Sequence, residues 1–144
     1  MDVNDLNKCL RGELSAIETY RQALDKNRAQ YSSDAKFAQL SQMLRDHEET
    51  AARIRGVIQQ LGGTPSDDSG AWGTWSKTVM GTAKLFGDKA ALKALKEGEE
   101  NGIKDYESVL RDPNVPAQVK DTFTSALSKE QQHVQQLDRL LATA

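Results

Sequence analysis

Five residues of this 144-residue chain combine carboxylate and imidazole groups at positions where a helical protein expects apolar side chains: Glu13, His47, Glu99, Glu130 and His133. Glu13 fills a gap in the helically spaced series Leu6, Leu10, Ile17, Tyr20, Leu24. Glu99 does the same in Leu92, Leu95, Ile103, Tyr106, Leu110. His47 stands in the series Phe37, Leu40, Leu44, Ala51, Ile54, Ile58. Glu130 and His133 interrupt Val119, Phe123, Ala126, Leu137, Leu140. A lone carboxylate is costly to bury, and several at one place repel one another. No lysine or arginine lies on these four stripes to neutralise them. A divalent cation is the simplest neutraliser, and oxygen plus imidazole ligands suit iron, manganese or zinc. The alternative is a metal-free polar network that fixes the register between helices.

The elements that must position these groups are four helices. The patterns predict them over about 4–27, 34–61, 88–111 and 116–142, in one domain of residues 1–144. Ser33 and Asp88 are suited to N-caps, Leu61 to Gly63 forms a glycine stop, and Pro116 suits a first helical turn. No segment alternates with period two, so the fold class is all-α. Four helices of this length make an antiparallel four-helix bundle of two helical hairpins. A long second-to-third crossover, residues 62–87, separates the hairpins and contains a short amphipathic helix over about 71–86. Trp72 and Trp75 lie there, with Val79, Ala83 and Phe86 on the same face. That segment either closes the bundle or offers a contact surface.

Shifting the chain by 86 residues lays "GELSAIETYRQAL" on "GEENGIKDYESVL". The shift pairs Glu13 with Glu99, Tyr20 with Tyr106, and His47 with His133, the only two histidines. Matched apolar positions follow from two hairpins needing similar cores. Matched carboxylates and imidazoles do not. Each polar group lies near the middle of its helix, so antiparallel packing brings the five to one level. Glu130 and His133 form Glu-x-x-His in "EQQH", whose i, i+3 spacing aims both side chains at one place. Carboxylate-bridged dimetal bundles use one Glu from each of two helices and Glu-x-x-His from each of the other two.

In these features the chain resembles the ferritin-like four-helix bundles. Over nearly its whole length it resembles a small bacterial ferritin-like family of unknown function, through "LRGELSAIETYRQAL", "SGAWG" and "LFGDKAALKALKEGEENGIKDYE". The resemblance implies that Glu13 and Glu99 are the first- and third-helix metal ligands, His47 the second-helix histidine, and Glu130 with His133 the fourth-helix pair. It also places Tyr20 and Tyr106 near the metals, although plain core packing is the simpler account of both tyrosines. One departure stands out. The repeat partner of Glu130 is Leu44, so "LRDH" replaces the expected Glu-x-x-His and one carboxylate is missing. Asp46 and Glu48 are close in sequence, but helical spacing points them away from the seam, and neither is expected to substitute. The site then holds one metal well and a second weakly, or has decayed into a hydrogen-bonded network.

With 19 basic and 21 acidic residues, net −2, the chain lacks the basic excess of a nucleic-acid binder. A single cysteine, Cys9, excludes an intrachain disulfide and reads as a small buried hydrophobe. The start "MDVNDLNKCL" lacks the basic and apolar regions of a signal peptide, and no apolar run is long enough to span a membrane. A cytoplasmic protein, monomeric or homodimeric rather than a large cage, is expected. Two functions are in play. One is a nonhaem metal-binding protein that binds iron and oxidises Fe(II) like a ferroxidase. The other is a metal-free structural or protein-interaction bundle, with the tryptophan-bearing crossover as its contact surface.

Overall fold

Periodic apolar residues and local caps give four helices in the computed structural model, which describes residues 2–70 and 89–143. They are α1 (Val3–Tyr31), α2 (Ala35–Gln60), α3 (Lys89–Leu110) and α4 (Ala117–Ala142). Among the described residues there is no strand. The crossover helix expected over about 71–86, with Trp72 and Trp75, and the cap at Asp88 lie outside the described residues.

The helix ends differ from the sequence reading for local reasons. α1 runs past Asn27 to Tyr31, because the buried Asn27 side chain donates to the Ala23 carbonyl at 2.7 Å and stays within the helix. The cap of α2 is Asp34 rather than Ser33; its Oδ1 accepts from the Lys36 N–H at 2.7 Å. Pro116 is extended (φ −62°, ψ 152°) and precedes α4 instead of opening it. At the other end of α2, Gly62 adopts φ 80° and turns the chain, a conformation that needs glycine. Residues 64–69 then run back along α1. Asn7 Nδ2 donates to the Thr64 carbonyl at 3.0 Å, and the Ser66 N–H donates to Asn7 Oδ1 at 2.8 Å.

The core is two apolar blocks. One contains Leu6 and Leu10 of α1, Ile54 and Ile58 of α2, Tyr106 of α3, and Val119 and Phe123 of α4. The other contains Tyr20 and Leu24, Phe37 and Leu40, Leu92 and Leu95, and Leu137 and Leu140. The start of α1 thus shares a block with the end of α2, the end of α3 and the start of α4. Neighbouring helices are antiparallel, and the diagonal pairs α1/α4 and α2/α3 run parallel. The end of α2 and the start of α3 lie at opposite ends of the bundle.

The five polar seam residues lie between the two blocks. Ile17, Leu44 and Ile103, expected in the seam, are only half-buried and flank it, while Met43 takes a fully buried position on α2. No helix among the described residues is long and apolar enough to cross a membrane.

Phe123 is fully buried and meets Tyr106 edge-on, with ring centroids 5.4 Å apart. Phe123→Ala is expected to destabilise the protein by about 3–5 kcal/mol, read as a lower midpoint in urea with an unchanged slope.

Candidate metal centre

Mid-helix placement in a bundle whose adjacent helices are antiparallel puts Glu13, His47, Glu99, Glu130 and His133 in one layer, each at most 4% exposed. His47 is the hub. Its Nδ1 lies 2.6 Å from Glu13 Oε2 and its Nε2 lies 2.6 Å from Glu99 Oε1. The outer ends of this chain are closed by the two repeat-related tyrosines. Tyr20 donates to Glu99 Oε1 at 2.7 Å, and Tyr106 donates to Glu13 Oε1. Five groups from three helices therefore form one buried hydrogen-bonded line: Tyr106, Glu13, His47, Glu99, Tyr20.

The electrostatics follow from that line. Burial alone would lower the His47 pKa, but the Glu99 and Glu13 carboxylates outweigh it and raise the pKa well above its ordinary value of 6.5. An imidazolium then donates at both nitrogens. Burial pushes Glu99 up, yet His47 and the hydrogen bonds around it win, and its carboxyl is held well below the usual carboxylate range. Glu130 goes the other way. Burial and the neighbouring carboxylates of Glu99 and Glu13 raise it well above its ordinary 4.5. Burial and the adjacent carboxylates likewise keep both tyrosines protonated.

Glu130 is the least satisfied member. Its Oε1 is 3.9 Å from His47 Nδ1, and its Oε2 is buried without a hydrogen-bond partner among the described residues. A buried acceptor of this kind costs about 1–3 kcal/mol unless something meets it, and in the metal-free protein a proton on Glu130 shared with the Glu99 or Glu13 carboxylate offsets part of that cost. Its placement depends on Gly102 of α3. A Cβ there would stand 3.0 Å from the Glu130 carboxyl carbon and Oε1, and 3.1 Å from Oε2. Gly102 pairs with Ala16 under the 86-residue shift, just as Glu130 pairs with Leu44.

The structure corrects the reading of Asp46. Its Oδ2 lies 2.8 Å from His133 Nε2, although its own helix face points it away from the seam. It is reached from α4 rather than from its own side, because His133 extends across the α2–α4 boundary. The His133 hydrogen bond offsets burial and lowers the Asp46 pKa. His133 Nδ1 meanwhile faces Glu99, at 3.2 Å from Oε1 and 3.3 Å from Oε2. A histidine that holds one nitrogen on a carboxylate presents the other to a ligand in a fixed orientation. Glu48, by contrast, pairs with Arg21 on the surface at 3.1 Å.

Gly102 and Asp46 are the two residues that sequence reasoning missed. A signal existed for the first: Gly98 and Gly102 are four apart, like Gly12 and Ala16, so small residues repeat on one face. None existed for the second within α2 alone, since its partner is on α4.

The donor set fits a divalent metal. His47, Glu99 and His133 form one group whose ligand atoms lie within 4.8 Å of one another, and Glu13, His47 and Glu130 form another. Both are oxygen and imidazole sets that suit iron, manganese or zinc. His47 belongs to both groups, and a neutral imidazole offers a single lone pair. Ion binding at either therefore displaces a His47 proton.

The metal-free protein has a defined pH signature. His47, with its raised pKa, contributes stability that is complete below the unfolded value near 6.5 and is lost as pH rises through the folded value. Glu130 has the same sign, complete below its unfolded value near 4.5 and lost as pH rises. Glu99 has the opposite sign, since its lowered pKa contributes above 4.5 and fails as pH falls through the folded value. In chelator, the melting temperature is expected to rise as pH drops from about 8 toward about 5 and to turn over in stronger acid. Glu130→Gln should flatten that rise and raise the melting temperature at the alkaline end. Calorimetry across the pH series measures both.

Known proteins place this fold. The chain aligns along 96% of its length, and along 94% of the other, with a crystal structure described as ferritin-like, diiron-carboxylate proteins from Bacillus anthracis str. Ames. The TM-score is 0.73 at 23% sequence identity, which establishes a common ferritin-like fold. No curated protein matches the chain. Residues 1–112, covering three of the four helices and three of the five polar seam positions (all but the pair on α4), match the family described as "Domain of unknown function (DUF2383)". The chain is a member of that family and has a ferritin-like fold.

Proposed function

We propose that the protein binds a transition-metal ion, iron first, at the buried Glu/His layer. The observation that carries this reading is the orphaned Oε2 of Glu130, buried among oxygen and imidazole donors and held there by the absence of a side chain at Gly102. In this reading Glu13 and Glu99 would serve as terminal ligands, His47 and His133 would each anchor an ion, and Glu130 would supply the carboxylate shared between ions. Leu44 stands where a further carboxylate would complete a dimetal set, so the first ion binds more tightly than the second. Bound iron would supply one-electron chemistry toward oxygen or peroxide, as in a ferroxidase.

The chain's own residues do the rest. Asp46 holds His133 with Nδ1 facing the layer. The two apolar blocks close the layer above and below and exclude bulk water. Tyr20 and Tyr106 keep donating to Glu99 and Glu13 and so fix which carboxylate oxygen is free. The proton displaced from His47 has an acceptor beside it in Glu13.

A second reading has an observation of its own. Glu13, His47 and Glu99 already satisfy one another without an ion, as a network that sets helix register would. Metal content separates the two. Protein titrated anaerobically with Fe(II), then desalted, is expected to retain about one ion per chain and to melt at a higher temperature than in chelator. His47→Ala with His133→Ala should abolish both effects. Wild-type protein that retains no iron, manganese or zinc overturns the metal reading and leaves the register network. Leu44→Glu, which restores the missing carboxylate, is expected to raise the retained stoichiometry toward two.

A further inference from the structure

The polar layer is not sealed evenly on all sides. Where α1 meets α3, Gly12 and Ala16 share one narrow cavity with Gly98 and Gly102. All four are half-buried, whereas Cys9, Ser15 and Leu95, which also line the cavity, are buried, so the small residues mark the side on which it reaches toward the surface. It measures about 20 Å³, which is room for one water molecule or one ion. Its inner end is formed by Glu13, Glu99 and Glu130, including the carboxylate whose Oε2 has no partner among the described residues. Asp105 lines the same cavity with its side chain 17% exposed, and its Oδ1 is 3.4 Å from Nζ of the exposed Lys8.

Carboxylates therefore occur at both depths of one cleft, at its rim and at its floor. Small residues between them let an ion pass close to the backbone. An anion would be repelled by this lining, and a larger solute would not fit. We propose that the α1–α3 cleft is the route by which a divalent metal cation reaches the buried layer, with Asp105 as a transient outer ligand that Lys8 competes for. The inference rests on the metal-binding reading and adds to it a path and a control residue outside the ligand set.

The test is the rate of Co(II) uptake by the full chain, followed by stopped-flow absorbance at low ionic strength, beside the equilibrium stoichiometry. Asp105→Asn is expected to slow uptake about threefold or more without changing the stoichiometry, and Lys8→Ala to speed it. Both effects should shrink as salt is raised. Asp138→Asn removes the same charge from α4, outside the cavity lining, where Asp138 pairs with Lys96 at 2.7 Å, and should leave the rate unchanged. Wild-type uptake with an unaltered rate in Asp105→Asn, or equal slowing by Asp138→Asn, overturns the route while the metal site stands. Wild-type protein that binds no Co(II) overturns both.

Discussion

Everything in this bundle is arranged around the cost of burying three glutamates in one layer. The cost is met in three different ways. Glu13 and Glu99 share the two nitrogens of His47, each at 2.6 Å, and each accepts a tyrosine hydroxyl. Glu130 has no tyrosine and only a distant imidazole, at 3.9 Å; burial and its contacts with the other two carboxylates hold it toward its neutral form. A buried charge stripped of its partner is more damaging than a missing hydrophobic contact. The helices must therefore meet at the register that keeps His47 between its two glutamates. The two apolar blocks are the parts of the core that remain once that layer has been placed.

The repeat is nearly symmetric in its sequence positions and asymmetric in its chemistry. Glu13 and Glu99, Tyr20 and Tyr106, and His47 and His133 correspond one to one. Yet His47 spans two carboxylates inside the layer, whereas His133 reaches outward to Asp46. The difference traces to two substitutions in register. Glu130 on α4 sits against Gly102, and its counterpart Leu44 corresponds to a position opposite Ala16. One half of the repeat has a carboxylate and the space for it, and the other has an apolar side chain and a methyl group.

The fold was readable from the sequence because apolar spacing, glycine stops and the 86-residue repeat are all local or self-referential signals. The all-α class and the four-helix architecture needed nothing else. Helix ends were less readable. Asn27 looks like a terminator, but its side chain bonds back within α1, and Ser33 and Asp34 are equally good caps on paper. The five polar seam residues were visible as exceptions to an apolar pattern, and the structure brings them into one layer. Asp46 was not visible, because its role is set by a partner on another helix that reaches across a helix boundary. Helical periodicity describes how one helix faces the core; it says nothing of which long side chain crosses a seam.

The division of the core into two apolar blocks by a polar layer has a consequence for how the chain finds its fold. Each block takes residues from all four helices, so neither hairpin owns a complete one. A purely apolar bundle tolerates a slip of one helix by a turn, about 5.4 Å, with modest loss, because leucine meets leucine again. Here the same slip would drive a carboxylate into aliphatic packing and leave His47 without a counter-charge. The layer acts as an index pin: the wrong alignments are excluded by electrostatics before packing can discriminate among them. On this view, the residues offered to a ligand in the finished protein are also the residues that tell the two hairpins where to stop.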